Sequence, residues 1–225
     1  MELLHLVERN TRHESMGQNR LLALALTAFV VAALGATDTQ AGSQTSATVS
    51  PEAVQSGVYA LEPVHTQIVF SVLHLGFTNY YGVFSRASGE LKLNPASLAA
   101  TSLSVTVPTD SVMTTSADLN DKLKGDQWFD VDKYPTMQFR SSRVTQTGEK
   151  TATVEGELTF HGVTRPMVLS ATFIGAGTNP IDKSYALGFS ATGVVKRSEY
   201  GVKTYAPLIG DDVELTINAA FSKQQ

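Results

Sequence analysis

Cysteine is absent from the 225-residue chain. That excludes disulfide bridges, thiolate metal ligands and thiol nucleophiles. A domain without such staples needs a sufficient hydrophobic core of its own. Positive charge is scarce as well: 17 Lys and Arg stand against 21 Asp and Glu, a formal charge of −4. This balance offers no basic field to nucleic acid and no polybasic patch to an anionic membrane. Long apolar runs are missing too. The longest, "LLALALTAFVVAAL" from Leu21 to Leu34, falls short of the roughly 20 residues of a spanning helix. The chain lacks HExxH and His-x-His spacing, a G-x-S-x-G elbow and a Gly-rich phosphate loop before a helix. No enzyme signature, metal site or cofactor motif is therefore read from the sequence.

What is present begins with an export signal. Arg20 precedes the apolar run, and small and polar residues follow it through "GATDTQAGSQ". Positive end, short apolar stretch and small-residue cleavage site come in the order of a secretory signal. Residues 1–41 are read as a cleaved signal peptide and the mature protein as periplasmic. Cleavage is expected after Ala41, with Ala36 as second choice. "MELLHLVERNTRHES" does not suit a signal, so Met16 is a candidate start. Residues 42–57, "GSQTSATVSPEAVQSG", are small, polar and aperiodic and read as a flexible leader.

From residue 58 onward, short runs rich in β-branched and aromatic residues alternate with turns. Leu103, Val105 and Val107 share one face, opposite Ser102, Ser104 and Thr106. The same period of two groups Met137 with Phe139, and Leu158 with Phe160. It groups Met167, Leu169, Ala171 and Phe173, then Leu187, Phe189 and Ala191, then Leu215, Ile217 and Ala219. "HTQIVFSVLHLGF", from His65 to Phe77, is apolar on both faces, with Ile68, Phe70, Val72 and His74 on one and Val69, Ser71, Leu73 and Leu75 on the other. One face is expected inside. The other is expected under a helix, the leader or a second subunit, because an uncovered patch would be an association site. Pro63 reads as a break, with His65 beside it near a rim.

The helical exception is Ser116 to Lys124, opened by Thr115 and Asp118 at capping-box spacing and stopped by Gly125. His161-Gly162, between two long runs, reads as a two-residue hairpin turn. About eight antiparallel strands in residues 58–225 must close their edges. The fold expected is all-β: a single eight-stranded antiparallel lipocalin-like β-barrel with a short helix between strands. Its inner faces carry many small residues, including Gly89, Gly156, Ala171, Ala191, Gly193 and Ala219. These either widen a lumen or make room for bulky neighbours. A change of parity between Phe84 and Leu91 marks "GVFSRASGEL" as the place for a bulge.

Five blocks in order, "HTQIVFSVLHLGF", "GVFSRASGEL", "WFDVDKYPTMQF", "GELTFHGVTRPMVL" and "GDDVELTI", closely resemble the YceI-like family. The resemblance runs from about Gly57 to Phe221. It implies an exported barrel that holds a polyisoprenoid or similar long apolar lipid in its lumen, and a homodimer. Where members of the family carry an Arg-Asp pair and a His in the helix, this chain has Leu119, Asn120 and Lys122. On this reading the lumen is lined by Ile68, Phe70, Val72, Leu91, Leu93, Val105, Val107, Met137, Phe139, Leu158, Phe160, Met167, Leu169, Phe173, Leu187, Phe189, Leu215 and Ile217. Trp128 sits near one end, and His74 donates to the polar end of the ligand. Contact with a membrane is transient, as a carrier requires. Two other readings stay open: an enzyme acting on an apolar substrate in the lumen, and a dimeric structural module with a filled barrel.

Overall fold

The computed structural model describes residues 50–224. The expected signal peptide and residues 42–49 of the expected leader lie outside them. Ten strands form one sheet: β1 (Gly57–His74), β2 (Thr78–Phe84), β3 (Ser88–Leu93), β4 (Ser102–Pro108), β5 (Val112–Met113), β6 (Thr136–Gln146), β7 (Thr151–Phe160), β8 (Val163–Thr178), β9 (Tyr185–Lys196) and β10 (Ile209–Lys223). Neighbours run β10-β9-β8-β7-β6-β4-β3-β1-β2-β5, and β10 also pairs with β1, which closes the barrel.

Ten segments make eight staves. The antiparallel partner of β1 is β2 along Ile68–His74 and β3 along Gly57–Ala60, so β2 and β3 are one stave interrupted at Ser85–Ala87. The interruption turns both Phe84 and Leu91 inward despite their opposite parity. β4 and β5 are likewise joined through a 3-10 turn, Thr109–Ser111. The expected closed eight-stranded antiparallel barrel is the fold observed.

β1 explains why its sequence is apolar on both faces. Tyr59 and Leu61 point inward, and after them Thr66, Ile68, Phe70 and Val72, so the inward set passes from odd to even numbers. The change falls where β1 loses register with β10, between Glu62 and Gln67. Pro63 has no N–H to give a ladder, and prolines within sheets collect at such bulges. The Glu62 carboxylate accepts from the Val64 and His65 N–H groups at 3.2 and 2.8 Å. The expected break at Pro63 is thus a bulge in one continuous strand. His65 rides on it, exposed, rather than at a rim.

At the β7–β8 hairpin, His161 and Gly162 have φ of 50° and 75°, as a two-residue turn with both centres left-handed requires. The helix α1 (Ala117–Lys124) opens on Ser116, whose hydroxyl accepts from the Leu119 N–H at 3.3 Å. Ser116 is therefore the cap. Thr114, rather than Thr115, is the hydroxyl tied to the helix, donating to Asn120 Oδ1 at 2.8 Å.

The last part of the expected leader is folded. Pro51–Ala53 form a 3-10 turn, and Val54 is only 7 % exposed, packed with Tyr59, Leu61, Leu91 and Phe173. Gln55 ties it down, its carbonyl accepting from the Tyr59 hydroxyl and its side-chain oxygen from Lys223 Nζ at 2.8 Å. An apolar residue with a barrel end to fill outweighs the polar composition around it. Tyr59 is fully buried there, and burial, with Tyr185 beside it, pushes its hydroxyl up to about 12. A pKa raised above the unfolded value gives stability that is complete below about pH 10 and lost as pH climbs toward 12. Ultraviolet titration is expected to show a tyrosine ionising near pH 12, and unfolding that becomes easier over that window. In Tyr59→Phe the late step is expected to vanish.

Candidate functional site

Alternation brings one apolar face of every stave to the barrel axis, and the faces do not fill it. A cavity of about 370 Å³ runs along the inside. Its wall includes Ile68, Phe70 and Val72 of β1, Leu91 and Leu93 of β3, Val105 and Val107 of β4, and Met137 and Phe139 of β6. Leu158 and Phe160 of β7, Met167, Leu169 and Phe173 of β8, Phe189 of β9, and Leu215 and Ile217 of β10 complete it, with Trp128 at one end.

Two residues expected at the site are elsewhere. His74 is exposed at the end of β1, paired with Thr78 and Ile209, its ring tilted against Tyr80 at 6.4 Å. The strand end carries it past the last inward position, so it meets solvent. Leu187 does face inward, but it is 3 % exposed and packed among Tyr59, Leu61 and Phe221. It belongs to the packed cluster beside the mouth rather than to the wall of the space. Of the three covers expected for the outer face of β1, neither of the two that belong to this chain is in place among the described residues. Leu73 stays 47 % exposed and Phe77 85 %, and among the described residues neither α1 nor residues 50–57 pack over them.

The small inner residues divide between the two readings. A Cβ on Gly156 would lie 2.6 Å from the Phe139 ring, and one on Gly193 would lie 2.8 Å from Leu169 Cδ2. These glycines make room for neighbours that fold over them. Ala171, Ala191 and Ala219 border open space, and they widen the lumen.

The two ends of the cavity are unlike. At one end Pro51, Leu98, Gln146, Glu149 and Lys150 border it, and these are half-buried or exposed, so this is the mouth. At the other end α1, the loop after it and the segment after β9 close the barrel. Leu123, Trp128, Phe129 and Val202 border the cavity there, and Phe129 meets Phe84 and Phe160 ring to ring at 6.0 and 5.5 Å.

Arg197 organises this sealed end. It is 4 % exposed, and its guanidinium lies 5.6 Å from the centre of the Trp128 ring. Nε donates to the Gly210 carbonyl at 2.8 Å and Nη1 to those of Val202 and Thr204 at 2.9 and 3.0 Å. Nη2 donates to the Ile209 carbonyl at 2.8 Å. Burial draws the Arg197 pKa down and nearby Asp211 pushes it back up, but a guanidinium stays charged regardless. Burial pushes the Asp211 carboxyl upward. The N–H and hydroxyl of Ser198, both at 2.8 Å, together with Lys196 and Arg197, bring it down to a net value below the ordinary carboxylate range. His161 buttresses the same segment by donating from Nδ1 to the Tyr200 carbonyl at 3.0 Å. Its buried Nε2 has no partner among the described residues.

Sequence reasoning missed Arg197, Val202, Phe84 and Val54. A lone arginine in "VVKRSEYG" looks like a surface charge, and only the four carbonyls that converge on it tell otherwise. Phe84 had a signal, the parity change. Val54 had none. Among the described residues no group of three or more His, Cys, Asp or Glu is placed to hold a metal ion.

The YceI-like domain family matches residues 59–221. A UPF0312 protein of Pseudomonas savastanoi is 36 % identical over 146 residues, 65 % of this chain and 76 % of that protein. One from Vibrio cholerae is 33 % identical over 169 residues, 74 % of this chain and 89 % of that protein. Among solved structures, the YceI protein of Campylobacter jejuni superposes with a TM-score of 0.61 at 29 % identity, covering 68 % of this chain and 90 % of that one. BcnA of Burkholderia cenocepacia gives 0.65 at 22 % identity, covering 71 % and 98 %. A polyisoprenoid binding domain from Saccharophagus degradans, implicated in plant cell wall breakdown, gives 0.57 at 13 % identity, covering 76 % and 100 %; at such identities the likeness is one of fold.

Proposed function

The chain belongs to the YceI-like family, and from that premise we propose that it is a periplasmic carrier that holds a long isoprenoid-type lipid in its lumen, without catalysis. The observation that carries this reading is the apolar cavity, which runs from an exposed mouth to a sealed end inside a closed barrel. The polyisoprenoid binding domain with the same fold is consistent with it. An enzymatic reading calls for a polar cluster in the lumen around His74, and His74 points outward.

Cavity size bears on the occupant. About 370 Å³ is at the small end of ligand sites, which span roughly 300–1,000 Å³. At about 30 Å³ for a water-sized group, the space takes about a dozen carbons. A slender chain fits, and a longer one emerges through the mouth past Val54. The dozen or so enclosed carbons, at roughly 0.3 kcal/mol per heavy atom, contribute about 4 kcal/mol against water. A bilayer is equally apolar, so transfer of that enclosed stretch from membrane to barrel is nearly balanced. Such a balance suits loading and unloading at a membrane.

Native mass spectrometry of protein purified from its own periplasm is expected to show the polypeptide with an apolar adduct, whose identity organic extraction then gives. Apo mass alone, from membrane-replete cells, would overturn the proposal.

A further inference from the structure

Building on the lumen-binding reading, we propose that the sealed end is a headgroup site. The lipid enters head first, and an uncharged oxygen on its head, a carbonyl or hydroxyl, accepts a hydrogen bond from Arg197 above Trp128.

A guanidinium has five N–H donors in a rigid fork. Four of those on Arg197 are used by the carbonyls of Gly210, Val202, Thr204 and Ile209. One hydrogen on Nη2 has no protein acceptor among the described residues. The side chain is 4 % exposed and borders the cavity, so an unmet donor there bears a desolvation cost. The ion pairs among the described residues do not include Arg197, and Asp211 spends its oxygens on Ser198. The other charged side chains bordering the cavity, Glu52, Glu149 and Lys150, are exposed at the mouth. A head resting at the mouth exchanges one watery partner for another and gains little. A head at the sealed end meets a donor that lacks a partner.

The same count selects the head. One N–H satisfies one acceptor. A diphosphate would bring several charged oxygens against Phe129, Phe160 and Val202, where the Trp128 indole N–H is the one donor beside that of Arg197 among these lining side chains, and desolvating them would cost more than two bonds return. A quinone carbonyl, an alcohol and an amide oxygen share the chemistry that fits.

Trp128 is the only tryptophan in the chain and lies under Arg197, so it reports on this end directly. Arg197 variants risk losing the sealed end altogether, and the test therefore uses the wild-type protein. Two long-chain alcohols are compared, one brominated close to its hydroxyl and one at the far terminus, with binding confirmed by native mass spectrometry. Bromine beside the hydroxyl is expected to quench Trp128 strongly and the far bromine weakly. The matching hydrocarbon without oxygen is expected to bind about tenfold more weakly, the effect of one hydrogen bond to a charged donor. Quenching by the far bromine, or equal quenching by both, would overturn head-first entry. Equal affinity for the hydrocarbon would overturn the role of Arg197. If no alcohol binds by mass, the lumen-binding reading itself falls, and this proposal with it.

Discussion

Replacing Ala191 with phenylalanine is expected to empty the lumen of lipid while the barrel stays folded. Ala191 lies opposite Ala171 of β8 and Ile217 of β10, and all three border the cavity. A six-carbon ring added there takes a large share of about 370 Å³ and cuts the channel between mouth and sealed end. Because the ring enters space rather than packed side chains, it avoids most of the 1–3 kcal/mol typical of overpacking. Its own burial offsets the remainder. The loss to a ligand is larger. Every displaced methylene forfeits about 0.8 kcal/mol, so two already weaken binding about tenfold. Adduct recovery by native mass spectrometry is expected to fall by at least about tenfold, with circular dichroism unchanged. A variant still loaded like the wild type would show that the ligand sits elsewhere. Val194→Phe, on the same strand but 57 % exposed and outside the cavity wall, is the matched control and is expected to load normally.

Arg197→Ala is expected to destabilise the domain more than the removal of any exposed charge. The guanidinium holds four carbonyls from one segment, Val202, Thr204, Ile209 and Gly210. Without it these oxygens lose their donor, fully buried at Val202 and partly buried at the other three, at a cost of about 1 kcal/mol each. The cation–π contact with Trp128 goes too. The sum is on the order of 4 kcal/mol, which for a domain of this size lowers the melting temperature by about 10 °C. Calorimetry checks it, and a shift below about 2 °C would show that water substitutes for the fork. Arg197→Lys is expected to recover only part of the loss, since an ammonium keeps the charge without the planar fork. That result would separate a geometric role from a purely electrostatic one.

How far the sequence reveals the site depends on the range of each interaction. Period-two alternation is local, and from it came the staves, the all-β class and most of the lumen wall, from Ile68 through Ile217. The His161-Gly162 turn was equally local, because left-handed geometry is a property of two residues. The cap of α1 was misplaced by one residue, since Thr115, Ser116 and Thr114 offer the same hydroxyl and only the fold of the loop chooses among them. Extending the inward parity of Ile68, Phe70 and Val72 one step further puts His74 inside, whereas in the structure it is exposed. Alternation gives the side of a strand but not where the barrel ends.

The sequence by itself determined that this protein is a closed antiparallel barrel with an apolar interior, because alternating faces that cannot stay wet have few other ways to be buried. Tertiary structure alone decided where that interior is hollow. The bulge after Glu62 switches the inward set of β1, Phe139 and Leu169 fold over Gly156 and Gly193 while Ala171, Ala191 and Ala219 leave a void, and Val54 packs at the mouth. It also decided that Arg197 is a buried keystone, since its four acceptors lie up to thirteen residues along the chain and meet it only once the segment after β9 has turned back on itself. Those outcomes depend on how distant staves share one limited volume, which no local pattern encodes.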